Sequence, residues 1–438
     1  MLVRSQFYQI VYKKGICVFL NSLKKLILQQ IYNNMVKIDD ISKIGLGTYR
    51  MSTNDLENIN VLQYAIDSGI NLIDTASSYN SGTSELLIGN SINEIARSSI
   101  FIVSKAGYIQ GEDIDRIRKN NLKHIEVNES LLFSIDPDFV SFQVDNSLKR
   151  LNTDYIDCYL LHNPEYYYQK NVSKEELKHK LFNSFLLLEE KVKEGKIRYY
   201  GISSNILSSL PLKSILDALG QFPHFKFLQF PYNIVERNLF FQLDNEVTVT
   251  ISQLKEKGLY ILSNRPLNTT YENKVLRLVD YAAGNINLIE DQENTLFDSF
   301  TEIIKQRLSN MQEDTSLENY YPISFFIENR KHIGNDEAIN KAIHSYLLPF
   351  LDAIGLRNEE TIKILSELQN YWIEFSKSNN QDRLNTLKSN LYKEGILNRN
   401  DTRDFSLILA ENYINSGVDT VLMGLRRKDY VDKIKSII

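Results

Sequence analysis

Cysteine is nearly absent from this 438-residue chain: Cys17 and Cys158 are its two thiols, too few for a disulfide framework or a four-thiolate zinc site. Glycine (18) and proline (8) are also scarce, below the usual frequencies of about 7% and 5%, a balance that suits long helices. No run of about 18 apolar residues occurs, so no membrane-spanning helix is expected. Neither sign of charge dominates: 50 basic residues stand against 55 acidic ones, for a net charge of −5. A mixed, net-acidic chain does not read as a nucleic-acid binder. What is plentiful is tyrosine (25) and phenylalanine (21), in a chain that is 43% hydrophobic and 24% charged. That composition belongs to a folded globular protein and excludes a disordered one. The length exceeds an ordinary domain of about 100–200 residues, although α/β barrels run larger as single units.

Acidic residues are missing before Asp39, whereas Arg4, Lys13, Lys14, Lys24 and Lys25 are interleaved with apolar residues. Residues 1–36 therefore read as a basic amphipathic extension, and one interpretation is a mitochondrial transit peptide. The other is an extension upstream of the natural start, because Met35 opens "MVKIDDISKIGLGTY", which looks like a domain beginning. The expected compartment is the cytosol, with the mitochondrion as the alternative.

From Lys43 onwards short apolar runs alternate with amphipathic stretches. The strand candidates are 43–49, 71–76, 100–106, 155–162, 197–204, 225–230, 259–264 and 420–424. Helical patterns fall at 55–68, 84–97, 137–151, 174–194, 208–219, 245–257 and 404–416. Strands separated by helices imply parallel βα units, and eight of them imply a closed (β/α)8 TIM barrel. The expected barrel comprises 37–274 and 399–438. Between the seventh strand and the last helix–strand pair lie roughly 120 residues more than a barrel of about 250 residues requires. Within them "NTLFDSFTEIIKQRL", "DEAINKAIHSYLLPFLDAI" and "ETIKILSELQNYWIEFSK" show three- and four-residue apolar spacing, the signature of helices. Residues 275–398 are thus expected to form a helical insert on the active-site face, where it would limit substrate size or dock a partner or a second copy.

Four ionisable residues sit at or just beyond strand ends: Asp74, Tyr79, Lys105 and His162. Catalytic groups of a barrel gather there. A tyrosine, with a reference pKa near 10, needs a cation beside it to donate a proton at neutral pH. Lys105 can be that cation, Asp74 can hold it charged and His162 can hydrogen-bond a carbonyl oxygen. Taken singly, each has an ordinary explanation as a cap, a packing residue, a surface charge or a core histidine. Their placement on consecutive strands carries the functional reading.

At these residues the chain resembles the aldo-keto reductases. "GINLIDTASSYNSGTSELLIG" (69–89), "SLKRLNTDYIDCYLLHNP" (147–164) and "EGKIRYYGISSN" (194–205) resemble three signatures of that family, in order; the likeness covers about 43–267 and 402–435. The resemblance implies a (β/α)8 barrel and a tetrad in which Tyr79 is the general acid–base, Lys105 lowers its pKa, Asp74 pairs with Lys105 and His162 orients the carbonyl. It also implies a nicotinamide cofactor, NADP(H) ahead of NAD(H), bound without a Rossmann motif and without a metal. Ser204, Asn205 and Gln229 would then hold the nicotinamide carboxamide, with Gly47, Thr48 and Tyr49 beside cofactor and substrate.

Two segments depart from the family pattern. After the seventh strand the chain reads Asn264, Arg265, Pro266, Leu267, where the family often has a tyrosine that stacks on the nicotinamide. Tyr232 is an aromatic that would compensate, and Arg265 has the fork geometry for a pyrophosphate. After the eighth strand, "MGLRRKDYVDK" offers Gly424, Arg426 and Arg427 for the adenosine end, the two arginines suiting a 2′-phosphate.

The expected function is NAD(P)H-dependent reduction of a small aldehyde, ketone or sugar to an alcohol, or the reverse oxidation. The alternative is a cofactor-binding regulatory subunit that docks a partner through the helical insert. Tyr166, Tyr167 and Tyr168 are candidates either for a substrate pocket or for surface packing.

Overall fold

Each of the eight apolar runs carries β-branched or aromatic residues in a stretch too short for a stable helix, and each forms a strand. In a computed structural model that describes residues 35–92, 97–237, 241–243, 247–271, 274–281 and 286–438, these are β1 (Ile44–Gly47), β2 (Leu72–Asp74), β3 (Phe101–Ala106), β4 (Ile156–His162), β5 (Ile197–Ser203), β6 (Phe225–Pro231), β7 (Tyr260–Asn264) and β8 (Thr420–Met423). They close into a parallel barrel in which every strand neighbours its sequential predecessor and β8 returns to β1. The basic segment 1–34, with the transit-peptide and start-site readings, lies outside the described residues.

Around the barrel run α1 (Glu57–Asp67), α2 (Thr83–Ser91), α3 (Pro137–Arg150), α4 (Lys174–Lys193), α5 (Leu212–Asp217), α6 (Ile251–Glu256), α7 (Phe405–Asn415) and α8 (Lys428–Ile434). Local chemistry fixes several starts. Asp136 caps α3 by accepting from the Asp138 N–H, with Pro137 in the first turn, and Ser173 caps α4 by accepting from the Glu176 N–H; each satisfies an amide that the helix itself leaves free. The helix expected over 245–257 forms only in its second half. Val247–Val249 pairs instead as a strand with Phe241–Leu243, because its Val-Thr-Val pattern favours extended backbone. Thr250 then starts α6 with a capping box to Gln253.

The floor of the barrel is filled by Leu72, Phe101, Val103, Cys158, Leu160, Phe227, Tyr260, Leu262 and Leu422, with Ile41, Val36 and Ile38 packed against them. Between β3 and α3 a three-stranded antiparallel sheet of Tyr108–Ile109, Ile125–Asn128 and Leu131–Phe133 departs from the simple βα alternation.

The chain divides into two compact units, one ending at Pro266 and resuming over Leu409–Ile438, the other Leu267–Ile408. The second begins with a hairpin, Asn268–Tyr271 against Lys274–Arg277, and continues through helices Ile286–Asn310, Tyr321–Asn329, Asp336–Ala342, Leu348–Ala353 and Glu359–Lys393. A π-helical turn at Ile343–Leu347 precedes Pro349. A proline there removes one backbone donor and crowds the preceding turn, which the wider turn accommodates. This unit has its own core: Trp372 is fully buried and stacks on Phe326 at 4.8 Å. The Trp372 indole N–H and the Arg330 guanidinium both donate to one oxygen of the buried Glu293.

Candidate active site

Strand register gathers the polar residues of the sequence reading at one end of the barrel. Asp74 closes β2 opposite Gly47 of β1, and His162 closes β4 opposite Ser203, which closes β5 opposite Gln229 of β6. Lys105 is the penultimate residue of β3 and Asn264 the last of β7. These are the carboxyl ends of parallel strands, where a barrel keeps its chemistry.

Lys105 is the hub. Its buried Nζ donates to Asp74 Oδ2 at 2.7 Å, to the Thr75 carbonyl at 2.8 Å and to Tyr79 Oη at 3.1 Å. Burial works against the Lys105 charge, yet the Asp74 carboxylate and Tyr79 hold its pKa above the usual value. Gln229 donates to the other oxygen of Asp74 at 2.7 Å, so both carboxylate oxygens are satisfied. The Tyr79 hydroxyl is pushed up by burial, and the opposing pull of Lys105 does not reverse the direction. The lowering expected from Lys105 is therefore one contribution, and the smaller one. His162 is held well below its ordinary pKa by burial and by the Lys105 charge, which leaves a neutral imidazole with a single ring N–H.

Tyr79 is aimed by a tight turn. Asn80 and Ser81 both adopt left-handed backbone (φ 48° and 55°) before the left-handed Gly82, a costly succession for non-glycine residues. The Asn80 amide compensates by donating to the carbonyls of Tyr49 and Met51. Thr48 donates from its backbone and its hydroxyl to the Asp74 carbonyl, which pins β1 to the acid. Tyr49 is 64% exposed, its ring perpendicular to that of Tyr79 at 5.1 Å.

The amide-binding residues of the sequence reading separate. Gln229 Oε1 accepts from Ser203 Oγ at 3.0 Å and from Asn264 Nδ2 at 3.4 Å. Ser204 instead donates to Glu165, and the exposed Asn205 gives Glu165 its backbone N–H while its side chain accepts from Arg265. Ser203 was missed because "GISSN" offers two serines. Strand alternation separates them: Tyr199 packs on the barrel interior, and Ser203, an even number of residues on, faces the same way. Asn264 Oδ1 is a buried acceptor with no partner among the described residues. Ser203, Gln229 and Asn264 thus combine donors and an unfilled acceptor, a set that fits a primary amide.

Tyr232 packs edge-on against Tyr413. Tyr167 is buried with its hydroxyl accepting from the Ile135 N–H, and Tyr168 donates to the Ser209 carbonyl, so both are packing residues; Tyr166 stacks on Phe133. Gly424, Arg426 and Arg427 are exposed at the turn between β8 and α8, where Arg427 pairs with Asp429 at 2.9 Å. Leu267 belongs to the second unit. Among the described residues no group of three His, Cys, Asp or Glu side chains could hold a metal ion, and no helix is long and apolar enough to cross a membrane.

The model of the aldo/keto reductase family matches residues 43–269. An uncharacterized oxidoreductase of Bacillus subtilis, YqkF, is 32% identical over 190 residues, covering 42% of this chain and 54% of that protein. The aldo-keto reductase YhdN of the same organism is 30% identical over 232 residues, covering 50% and 60%. The chain therefore spans little more than half the length of these relatives. Among solved structures, an aldo-keto reductase of Bacillus halodurans, AKR11C1, aligns at a TM-score of 0.38 and 22% identity, covering 51% of this chain and 61% of that one. With the family model matched across more than half of the sequence and an eight-stranded barrel formed by it, the chain belongs to the aldo/keto reductase family.

Proposed function

We propose that this chain is a nicotinamide-dependent oxidoreductase of the cytosol that reduces a small aldehyde, ketone or sugar carbonyl to an alcohol, or runs the reverse oxidation. The observation that carries this reading is the single ammonium of Lys105 held between the Asp74 carboxylate and the Tyr79 hydroxyl.

A reduced nicotinamide dinucleotide, when bound, supplies the hydride that the carbonyl carbon receives. Tyr79 gives its hydroxyl proton to the carbonyl oxygen, and the phenolate left behind is stabilised by Lys105 at 3.1 Å. Asp74 keeps Lys105 charged throughout. Neutral His162 donates its ring N–H to the same oxygen, so that negative charge developing there meets an aligned dipole. Ser203, Gln229 and Asn264 would hold the carboxamide, by the donors and the open acceptor described above. Arg265 would reach the pyrophosphate; Arg426 and Arg427, together with Gly424, would take the adenosine end, and two arginines favour NADP(H) over NAD(H).

A second reading, a cofactor-binding subunit that docks a protein partner, is favoured by one observation. Tyr321 on the helical unit is 61% exposed and forms an aromatic group with Phe325 and Tyr346. Oxidation of NADPH, followed at the nicotinamide absorbance against a panel of aldehydes, ketones and sugars, separates the two. Turnover on a panel member is the expected result. Tight cofactor binding without turnover on any member would favour the second reading.

A further inference from the structure

A catalytic imidazole is ordinarily oriented by a hydrogen bond on the ring nitrogen that faces away from the substrate. His162 has no such bond among the described residues. Its ring instead lies between two tyrosines, each perpendicular to it: Tyr79 at 6.1 Å and Tyr108 at 4.8 Å. Resting on the reading of His162 above, we propose that Tyr108 is the positioning residue that fixes the orientation of His162.

Gly107 lies so close to β4 that a Cβ there would meet the His162 carbonyl oxygen at 2.4 Å. The absence of a side chain at 107 lets the next residue, Tyr108, reach the imidazole. Tyr108 opens the small antiparallel sheet, paired with Phe133, which holds its backbone. Its ring is then boxed on other sides by Phe133 and Tyr166, both edge-on at 5.7 and 5.1 Å.

The phenol is tethered as well. Asn163, the residue directly after His162, takes a left-handed backbone conformation (φ 52°, ψ 57°), one that asparagine tolerates better than most residues. The amide of Asn163 donates to Tyr108 Oη. The turn that ends β4 therefore sets the imidazole and tethers its brace in one step. Edge-to-face packing of this kind prefers a defined ring plane, and a neutral imidazole without a polar anchor takes its plane from that packing.

The test uses the full chain with isotope-labelled histidine, the His162 ring signal being identified by its loss in His162→Gln. Tyr108→Leu is expected to shift and broaden that signal. Tyr108→Phe keeps the ring but loses the tether, and is expected to leave the signal sharp with a smaller shift. In parallel, Tyr108→Leu is expected to lower kcat for carbonyl reduction about 10-fold or more while the dissociation constant for NADPH changes less than about twofold, and to add no further loss in a His162→Gln background. An unchanged His162 signal in Tyr108→Leu would overturn the proposal whatever the activity, as would fully additive losses in the double variant. A shifted signal with turnover indifferent to His162→Gln would support the positioning of the ring and would instead remove the catalytic reading of His162.

Discussion

Lys105 carries charge at a position that burial disfavours, and Asp74, 2.7 Å away, is what sustains it. The consequence for pH dependence follows from the directions at the three groups. Burial keeps the Tyr79 phenol protonated beyond its ordinary range, so the proposed acid is in its donating form at neutrality. Reduction is expected to be flat between about pH 6 and pH 8 and to fall only on the alkaline side. The reverse oxidation needs the phenolate, so its rate is expected to rise about tenfold per pH unit across the same range. His162 is already neutral, lowered by burial and Lys105, so no limb from its protonation is expected near pH 6.5. Steady-state profiles in both directions check this; a bell centred near pH 6.5 for reduction would contradict it. The grouping of Asp74, Tyr79, Lys105 and His162 was legible in the sequence because each ends or closely follows an apolar run. Tyr108, Asn163 and Ser203 were not. Their positions depend on a left-handed turn, an antiparallel excursion and a one-residue choice within a serine pair, none of which has a period that can be read along the chain.

At the level of elements, β5 and β6 approach closely at Gly201. A Cβ on Gly201 would lie 1.8 Å from the Phe227 carbonyl oxygen, beside a register shift between Tyr200 and Gly201. That close approach helps bring Ser203 opposite Gln229. Gly201→Ala is therefore expected to destabilise the barrel by about 1–3 kcal/mol or more, the range for overpacking, and to weaken cofactor binding by disturbing Gln229. Thermal unfolding and fluorescence titration with NADPH measure the two effects; a melting temperature within a degree of the parent would contradict the account. All eight strands were readable because short apolar runs between amphipathic stretches admit few other interpretations. The sheet over 108–133 was not, since its strands are two to four residues long and too brief to show alternation. The helix expected over 245–257 was misread where Val247–Val249 pairs as a strand, its β-branched residues counted as part of an amphipathic pattern.

In the whole molecule, two compact units each bury a core of their own. The single tryptophan, Trp372, lies in the second core and hydrogen-bonds the buried Glu293. Its fluorescence therefore reports on that unit alone. Denaturant titrations followed by tryptophan emission and by NADPH binding are expected to give separate midpoints, since non-coincident transitions mark units that unfold independently. Arg330→Ala removes the cation paired with Glu293. It is expected to lower the tryptophan midpoint, by the equivalent of about 3–5 kcal/mol if the carboxylate is left uncompensated, while leaving the cofactor-binding midpoint in place. Coincident curves that shift together would contradict this division. The helices of the second unit were legible from three- and four-residue spacing, and the buried Glu293–Arg330 pair was not, because nothing local in "EDQENT" or "IENRKH" marks a charge as buried.

Under the proposed function, Tyr79, polarised by Lys105, moves the proton of a carbonyl reduction. The most direct measurement is single-turnover oxidation of bound NADPH by an aldehyde of the reactive panel, in the parent chain and in Tyr79→Phe. Tyr79→Phe is expected to bind NADPH within a few-fold of the parent and to lose the chemical step by about 100-fold or more, the scale of general acid catalysis. A Tyr79→Phe protein that oxidises NADPH at the parental rate would contradict it.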